Sequence, residues 1–295
     1  MKVQLVRALL WCLGALPFRV MEGVGAGIGL LLWLVPNRSR RNTQDNVARC
    51  YPGRDAAWRR AFTRASLVAT GRTAAESFWL LSRDREQVLP LVHAVRGAEH
   101  IDEARAAGRG IICATPHLGA WELAAAWVST RTPLTVLFRP PRQAALAEIL
   151  RRGRERLGGR PVPTDGSGVR ALHRALRAGE AIGILPDQQP RDGQGVYAPF
   201  MGQPALTMTL LSRIAARTGA AVLFTVMVRN PDARGFTLHV WPADAAIADP
   251  DPVVAATRVN REVERAIALA PEQYMWSYQR FRRRGGAAPA GQGAP

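Results

Sequence analysis

The sequence predicts an α/β protein with a mixed, mostly parallel central sheet covered by helices, preceded by an N-terminal hydrophobic, membrane-associated helical segment. Three observations support this fold class. From Ala94 onward, short β-rich apolar runs alternate with helical periodicity, which is typical of βαβ units. The last two strands, joined by residues 229–234, have the pattern of a hairpin, which makes the sheet mixed. Residues 1–36 are strongly apolar but interrupted by charges.

Apolar runs and turn residues place the individual elements. Residues 42–82 are predicted to be mostly helical, with a wide apolar stripe that is typical of core packing. Strands are predicted near 110–115, 134–138, 181–185, 221–228 and 235–241. Helices are predicted near 119–129, 143–156, 168–178, 207–217, 252–269 and 271–282. Residues 285–295 form a Gly-, Ala- and Pro-rich tail that is predicted to be disordered.

The N-terminal segment contains two apolar runs, 8–18 and 23–36, separated by charged residues. Neither run reaches the roughly 20 apolar residues that cross a bilayer as a simple helix. Pro17-Phe18-Arg19 is also a poor signal-peptide cleavage site. We therefore expect residues 1–36 to be an anchor that spans a membrane or lies on it, followed by one domain over residues 37–284. A helix pair in a soluble core is the alternative.

The chain is strongly basic. Its formal net charge is +17, and Lys2 is the only lysine among 40 basic residues. Arginine presents a planar fork of donors that matches phosphate and carboxylate, so the excess favours anionic lipid, a phosphorylated substrate, an acidic protein or nucleic acid as partner. Arg38, Arg40 and Arg41 follow the apolar segment, as expected on the cytoplasmic side of an anchor. The arginines are dispersed and not concentrated in one aromatic-interleaved patch, which argues against nucleic acid.

Two kinds of site find no support in the sequence. Cys12, Cys50 and Cys113 have no C-x-x-C spacing, so they predict neither a disulfide framework nor a metal site. There is no Gly-x-Ser-x-Gly nucleophile elbow, and Gly166-Ser167-Gly168 is better explained as a loop that opens a helix. The sequence therefore does not point to metal chemistry or to a serine nucleophile.

A histidine and a glutamate lie at a predicted strand-to-helix turn. The apolar run 110–115 leads to His117, and Glu122 follows five positions later. On a regular helix they would lie about 140° apart, at ~100° per residue, so they can meet only if His117 lies in the turn before the helix. A carboxylate-held imidazole can take a proton from a hydroxyl near neutral pH. The pair predicts a general base, His117, with Glu122 as its orienting partner, in acyl transfer to an alcohol; a structural histidine is the alternative.

The next two predicted strands also end in polar residues. One leads into Arg139, and the other leads into Asp187 and Gln188. Because open α/β sheets bind ligands at the carboxyl ends of their strands, we expect His117, Arg139 and Asp187 at one edge of the sheet. A solvated loop charge, or an ion pair between Arg139 and Asp187, is the alternative. The helix after Arg139 carries a basic stretch in which one arginine, Arg154, is a candidate clamp for a phosphate.

An ordered set of motifs runs through the chain. It comprises His-x-x-x-x-Glu at 117–122, Phe138-Arg139-Pro140, Leu185-Pro186-Asp187-Gln188, the run 195–207, Gln273-Tyr274-Met275-Trp276 and Arg280-Phe281. Together these motifs resemble the lipid A biosynthesis (late, secondary) acyltransferases, within the lysophospholipid and glycerolipid acyltransferase group. The resemblance covers nearly the whole chain. Met201, Tyr278 and Gln279 depart from the usual pattern, which leaves the histidine and glutamate untouched and the acceptor open.

The resemblance implies an enzyme at the cytoplasmic face of the bacterial inner membrane. It would move a fatty acyl chain from acyl carrier protein, or less often coenzyme A, to a hydroxyl of a lipid A precursor. His117 would be the base and Glu122 its partner, with no metal, no cofactor and no acyl-enzyme intermediate. Substrate-binding roles would fall to further residues of the motifs and of the basic stretch: Arg139, Arg154, Asp187 and Gln188.

The partners expected from this resemblance are the acyl donor, a phosphorylated glycolipid acceptor and the membrane, but not nucleic acid. The protein is expected to be a monomer. Three alternatives remain open at this point. The acceptor is another glyco-, lyso- or ornithine-type lipid, or the same dyad activates water in a lipid hydrolase or thioesterase, or the protein is a basic, non-enzymatic membrane- or nucleic-acid-binding protein.

Overall fold

The computed structural model describes residues 14, 16–141, 143–231 and 234–282. Its helices are α1 (Phe18–Leu34), α2 (Arg38–Cys50), α3 (Ala56–Leu81), α4 (Arg85–Val88), α5 (Glu99–Ala106), α6 (Trp121–Val128), α7 (Ala144–Arg156), α8 (Gly166–Arg177), α9 (Leu210–Thr218) and α10 (Pro252–Leu269). Its strands are β1 (Val92–Arg96), β2 (Ile111–Ala114), β3 (Leu134–Phe138), β4 (Gly159–Pro163), β5 (Ala181–Ile184), β6 (Gly195–Phe200), β7 (Gln203–Met208), β8 (Ala221–Arg229) and β9 (Phe236–Pro242). Short 3-10 helices lie at Leu89–Leu91, Ala245–Ala248 and Pro271–Gln273.

Seven strands form one sheet in the order β1-β9-β8-β2-β5-β3-β4. β8 and β9 pair antiparallel, and every other neighbouring pair in this sheet is parallel. The predicted α/β class, the mostly parallel sheet and the C-terminal antiparallel pair are confirmed. Because β2, β5 and β3 are neighbours, their carboxyl ends lie side by side at one edge of the sheet.

Helices cover both faces of the sheet, as predicted. Ile112 and Ala114 of β2 join the core formed with α2, α8, α9 and α10. Ile111 and Cys113 alternate with them and join the opposite core, formed with α1, α3, α5 and α6. This alternation is the two-residue period of a strand that is buried on both faces. Asx side chains begin several of the helices by accepting backbone N–H bonds, and they are Asn37, Asp55, Asp165 and Asp251.

Four strands lie outside the predicted set. β1 and β4 are the two edges of the sheet, and β4 carries Pro161 and Pro163, which sheets tolerate at edges. β6 and β7 form a separate antiparallel hairpin in which Pro199 faces Pro204. The prolines hide the strand pattern of this segment in the sequence, because proline is depleted in strands.

The predicted helix at 271–282 is wrong. Only Pro271–Gln273 forms a 3-10 helix, and the chain after it continues as a bridge and turns. Leu118 and Tyr274 form an isolated antiparallel bridge, so this segment hydrogen-bonds to the loop after β2, and its own backbone bonds are those of short turns and not of a helix. Tertiary pairing has overridden the local helical pattern.

The helix α1 packs along α3, and a buried charge cluster ties both helices to the sheet. Arg229 at the end of β8 contacts Glu76 of α3, with Nη2 2.6 Å from Oε2, and its Nε lies 3.2 Å from Glu22 Oε1 of α1. Burial, reinforced by the neighbouring Glu76, raises the pKa of Glu22 to about 8. The N-terminal helix is therefore joined to the sheet by apolar packing and by the contact between the Glu22 carboxyl group and Arg229.

Among the described residues, no single helix has both the length and the apolar character to cross a membrane. The pair α1 and α2 meets both requirements together, but the two helices are bent by 79°. Most of the first predicted apolar run and the predicted disordered tail at 285–295 lie outside the described residues. The boundaries at residues 36 and 284 stay predictions.

Candidate active site

The C-terminal segment holds the turn that carries His117. This turn lies between the end of β2 and the start of α6. The Met275 N–H donates to the His117 carbonyl at 2.9 Å, and the Gly119 N–H donates to the Gln273 carbonyl at 3.3 Å. The Gln273 side chain is itself fixed by Arg229, whose N–H donates to Oε1 at 2.9 Å. The Gln273–Trp276 motif thus positions the histidine through the backbone.

Gly119 allows the chain to turn sharply from β2 into α6. Its φ is +60°, in the left-handed region. A Cβ at this position would lie 2.0 Å from the Met227 carbonyl oxygen, which accepts the Ala120 N–H at 3.0 Å. A side chain at position 119 would therefore displace the turn from β8.

The imidazole of His117 is held by Asp187. His117 Nδ1 lies 2.8 Å from Asp187 Oδ1, and the His117 backbone N–H donates to Oδ2 at 3.0 Å. Asp187 follows β5, which neighbours β2, so the sheet brings the two residues together across 70 positions of sequence. The side chain of Asp187 is 3% exposed and that of His117 is 15% exposed, so the carboxylate lies behind the ring.

These contacts define the tautomer of His117. Because a carboxylate only accepts hydrogen bonds, Nδ1 carries the proton and Nε2 presents its lone pair. The Gln188 amide Nε2 lies 3.1 Å from His117 Nε2 and donates to it. The Trp121 ring packs edge-on against the imidazole at 5.2 Å between centroids. Nε2 is therefore the atom available to take a proton from a substrate that replaces Gln188.

The carboxylate of Asp187 remains ionised. Burial alone would raise its pKa, but the neighbouring His117 and the hydrogen bonds to its ring and backbone outweigh burial and leave the pKa below its usual value. Burial, with the Asp187 charge, raises the pKa of Tyr274 well above its usual value, so this phenol stays neutral. Of Asp187 and Tyr274, only Asp187 is therefore an ionised partner of the imidazole.

The expected contact between Glu122 and His117 does not form. Glu122 lies in the first turn of α6 and pairs with Arg154 of α7, whose Nη2 is 2.6 Å from Oε1 and whose Nε is 3.1 Å from the same oxygen. Asp187 already occupies the ring nitrogen that Glu122 was expected to hold. The Arg154 guanidinium also lies over the Phe138 ring, at 5.1 Å from its centroid. Glu122 thus fixes an arginine and not the histidine.

A cavity of about 1110 Å³ opens beside His117. Its lining draws on both cores, so the cavity passes over the carboxyl edge of the sheet. On the side of α3, α6 and α7 its lining is mainly apolar and includes Leu81, Ala125, Val128, Leu134, Leu150 and Leu157. His117, Glu122, Arg154 and Gln188 line the same cavity, whereas Asp187 stands behind His117. This space is large enough for a long apolar chain.

Arg139 lies at the predicted edge and lines the cavity, but the alternative of an ion pair with Asp187 does not occur. Three further cationic residues of the lining were missed from the sequence, and they are Arg191, Arg213 and Arg217. The four-residue spacing of the last two on a predicted helix was the available signal. It was not sufficient, because this chain carries basic residues on many helices.

Thiol and metal chemistry find little support in the described part of the chain. Cys113 lines the cavity, and burial raises its pKa to about 12, so the thiol stays protonated. No group of three or more His, Cys, Asp or Glu side chains that could hold a metal ion occurs among the described residues. The groups gathered at the edge are those of acid–base chemistry.

The amino-acid sequence of this chain is similar to those of several known proteins. A family model described as bacterial lipid A biosynthesis acyltransferase matches residues 1–283. A lipid A biosynthesis lauroyltransferase of Escherichia coli K12 is 28% identical over 287 residues, covering 96% of this chain and 92% of that protein. A lipid A biosynthesis palmitoleoyltransferase of the same organism is 27% identical over 281 residues, covering 94% and 89%. A phosphatidylinositol mannoside acyltransferase of Mycobacterium tuberculosis is 29% identical over 184 residues, covering 61% and 57%.

Proposed function

The chain belongs to the bacterial lipid A biosynthesis acyltransferase family. We propose that it transfers a fatty acyl chain from a thioester to a hydroxyl of a lipid A precursor. The proposed donor is acyl-acyl carrier protein, with acyl-coenzyme A as the alternative. The proposed place of reaction is the cytoplasmic face of the inner membrane. The observation that carries the proposal is the His117–Asp187 pair, which presents Nε2 to a large cavity with an apolar side.

The proposed base is His117 Nε2. An acceptor hydroxyl replaces the Gln188 amide at this nitrogen and gives up its proton as its oxygen attacks the thioester carbon. Asp187 holds the opposite side of the ring and stabilises the imidazolium that forms. When the tetrahedral intermediate collapses, the C–S bond breaks and the thiolate takes the proton back from Nε2. The His117 imidazole is then neutral again, and no acyl-enzyme intermediate has formed.

Arg154 is the proposed stabiliser of the oxyanion. Two of its nitrogens, Nε and Nη2, are engaged by Glu122, while Nη1 has no hydrogen-bond partner within the described residues. A guanidinium fixed in this way can present its remaining N–H groups to developing negative charge at no further cost in side-chain ordering. Glu122 is then a positioning residue for Arg154. Gln188 and Arg139 are proposed to contact the acceptor.

The exposed side of α1 supports the membrane part of the proposal. Apolar residues recur about once per turn along it, with exposures from 36% to 61%, and they are Val20, Val24, Ile28, Leu31 and Leu34. Trp33 beside this stripe is contacted by the guanidinium groups of Arg40 and Arg60. Such a helix suits the bilayer interface, with apolar residues in lipid and arginines near anionic headgroups.

The test is a transfer assay with the full chain in detergent micelles. Acyl-acyl carrier protein or acyl-coenzyme A is mixed with a lipid A precursor, and mass spectrometry identifies the product. We expect one acyl chain to be added, and a loss of ~10²–10⁴ in rate for His117→Ala. His100→Ala, which changes a half-buried histidine of α5 outside the cavity lining, is the matched control.

Three results of this assay would contradict the proposal. Free fatty acid released at full rate without acceptor would indicate a hydrolase. Transfer to a phosphatidylinositol mannoside in preference to the lipid A precursor would indicate the other acceptor class. Absence of turnover with every donor would leave a binding protein.

A further inference from the structure

Four arginines line the cavity without a carboxylate partner: Arg139, Arg191, Arg213 and Arg217. None of their guanidinium groups has a hydrogen-bond or ion-pair partner within the part of the chain that the structure describes. Some arginines elsewhere in the protein are paired with a carboxylate, such as Arg160 with Glu180 and Arg258 with Asp244. These unpaired cations give the cavity a basic side, and apart from Arg139 the proposed chemistry at His117 does not use them.

The acidic residues of the cavity lining compensate these charges only in part. Glu122 is already engaged by Arg154. Asp165 caps α8, accepting the N–H groups of Ser167 and Gly168, and these hydrogen bonds, that of the Ser167 hydroxyl first, lower its pKa. Among the described residues no other carboxylate lines the cavity. Like charges gathered in a concave surface raise the local concentration of anions.

The helix α9 carries two of these arginines on one side. Arg213 and Arg217 are one turn apart, while Leu211 and Ala215 bury the opposite side of the helix in the core with α8 and α10. Arg191 joins them from the loop after β5, shortly after the residues that contact His117. This basic side belongs to one face of the sheet, and the apolar lining belongs mainly to the other.

We propose that Arg191, Arg213 and Arg217, the basic rim, bind a phosphate ester of a substrate while the acyl chain occupies the apolar side of the cavity. This inference rests on the proposed function and adds a phosphate subsite to it. Arginine forks match phosphate oxygens bidentately, and three forks, two on α9 and one on the loop after β5, suit a phosphate group. The reaction offers two phosphate esters, one on the phosphorylated acceptor and the other the phosphodiester that attaches the pantetheine arm to an acyl carrier protein donor.

The test compares the double variant Arg213→Gln/Arg217→Gln with the wild type in the transfer assay. Steady-state kinetics are measured with the lipid A precursor and with the same lipid after enzymatic removal of its phosphates. A second arm compares acyl-phosphopantetheine with acyl-pantetheine as donors. Arg174→Gln/Arg177→Gln on α8 removes the same charge from exposed positions outside the cavity lining and is the control.

We expect the variant to raise the KM of one phosphorylated substrate by about tenfold or more, with kcat nearly unchanged, and the KM of its phosphate-free form to change little. The control should resemble the wild type. Equilibrium binding of the affected substrate, without its co-substrate, should weaken by the same factor. Arg213→Lys/Arg217→Lys should recover part of the loss, because the charge returns without the fork.

Unchanged KM values in both arms of the test would contradict the proposal that the basic rim binds a phosphate ester. So would an equal rise for phosphorylated and phosphate-free substrates, or an equal effect in the control. Each of these outcomes assumes that the wild-type protein transfers acyl chains; if it transfers none, the proposed function fails instead.

Discussion

At the scale of single residues, the site uses two carboxylates in separate roles, where the sequence predicts only Glu122 as the partner of His117. Asp187 is buried and ionised behind His117, where an opposite charge stabilises the imidazolium formed during proton transfer. Glu122 forms an ion pair with Arg154 and holds that guanidinium group in place in the cavity. The site therefore contains a negative group for the base and a positive group for the substrate, both held before substrate arrives.

The histidine was predictable because its signal is local, whereas its partner was not. His117 follows an apolar run and precedes a helix, and both features are visible in the sequence. Its contact with Asp187 spans 70 positions and depends on β5 being the neighbour of β2. A sequence pattern gives strand ends but not strand order. The sequence predicts Glu122 as the partner because it is near His117 along the chain, whereas the geometry of α6 turns it toward Arg154 of α7.

At the scale of elements, the contact between α1 and α3 depends on glycine. A Cβ on Gly71 would lie 2.3 Å from the Gly25 carbonyl oxygen and 2.7 Å from the Gly29 Cα, so the two helix backbones nearly touch. Gly27 lies on the same stretch of α1, and a Cβ there would meet nothing within 4 Å. This pair of positions separates the packing contribution of glycine from its effect on helix propensity.

We expect Gly71→Ala to lower the free energy of unfolding by roughly 1–3 kcal/mol, because the helices must move apart. Gly27→Ala should be neutral or stabilising by up to about 1 kcal/mol, because alanine favours the helix. Chemical denaturation of both variants measures the difference. Equal effects of the two substitutions would show that α1 is not packed on α3 at this distance.

The elements that the sequence did not reveal have identifiable physical reasons. β4, β6 and β7 contain prolines, which mask strand periodicity and are tolerated at an edge or in a hairpin. The opposite error occurred at residues 271–282, where an apolar and aromatic pattern suggested a helix. Met275 and Gln273 of this segment hydrogen-bond to the His117 turn instead, and a tertiary contact of this kind leaves no local signal.

At the scale of the whole molecule, the protein combines an exposed apolar helix with a cavity that has an apolar and a basic side. Phe78 of α3, the helix on which α1 packs, is exposed and lines the cavity. A lipid that lies beside α1 would thus present its chains to the apolar side and its headgroup to the arginines. This arrangement agrees with acyl transfer at a bilayer surface.

The exposed stripe of α1 provides a direct test of membrane contact. We expect Leu31→Ser/Leu34→Ser to weaken binding to vesicles of phosphatidylethanolamine and phosphatidylglycerol by about tenfold or more, because two leucines no longer enter the lipid. Val253→Ser/Val254→Ser on α10, which also changes two exposed apolar residues, should leave binding unchanged. Vesicle flotation measures both. Equal behaviour of the two variants would contradict a lipid-facing α1.

Asp187, and not Glu122, orients His117 in the proposed mechanism. The pH dependence of kcat in Asp187→Asn and Glu122→Gln tests this claim. We predict that Asp187→Asn lowers kcat by ~10²–10⁴ and moves the acid limb of the profile to lower pH, because the imidazolium loses its stabilising carboxylate. Glu122→Gln should lower activity through Arg154 and leave the acid limb in place. A displaced acid limb in Glu122→Gln with an unchanged profile in Asp187→Asn would contradict the claim.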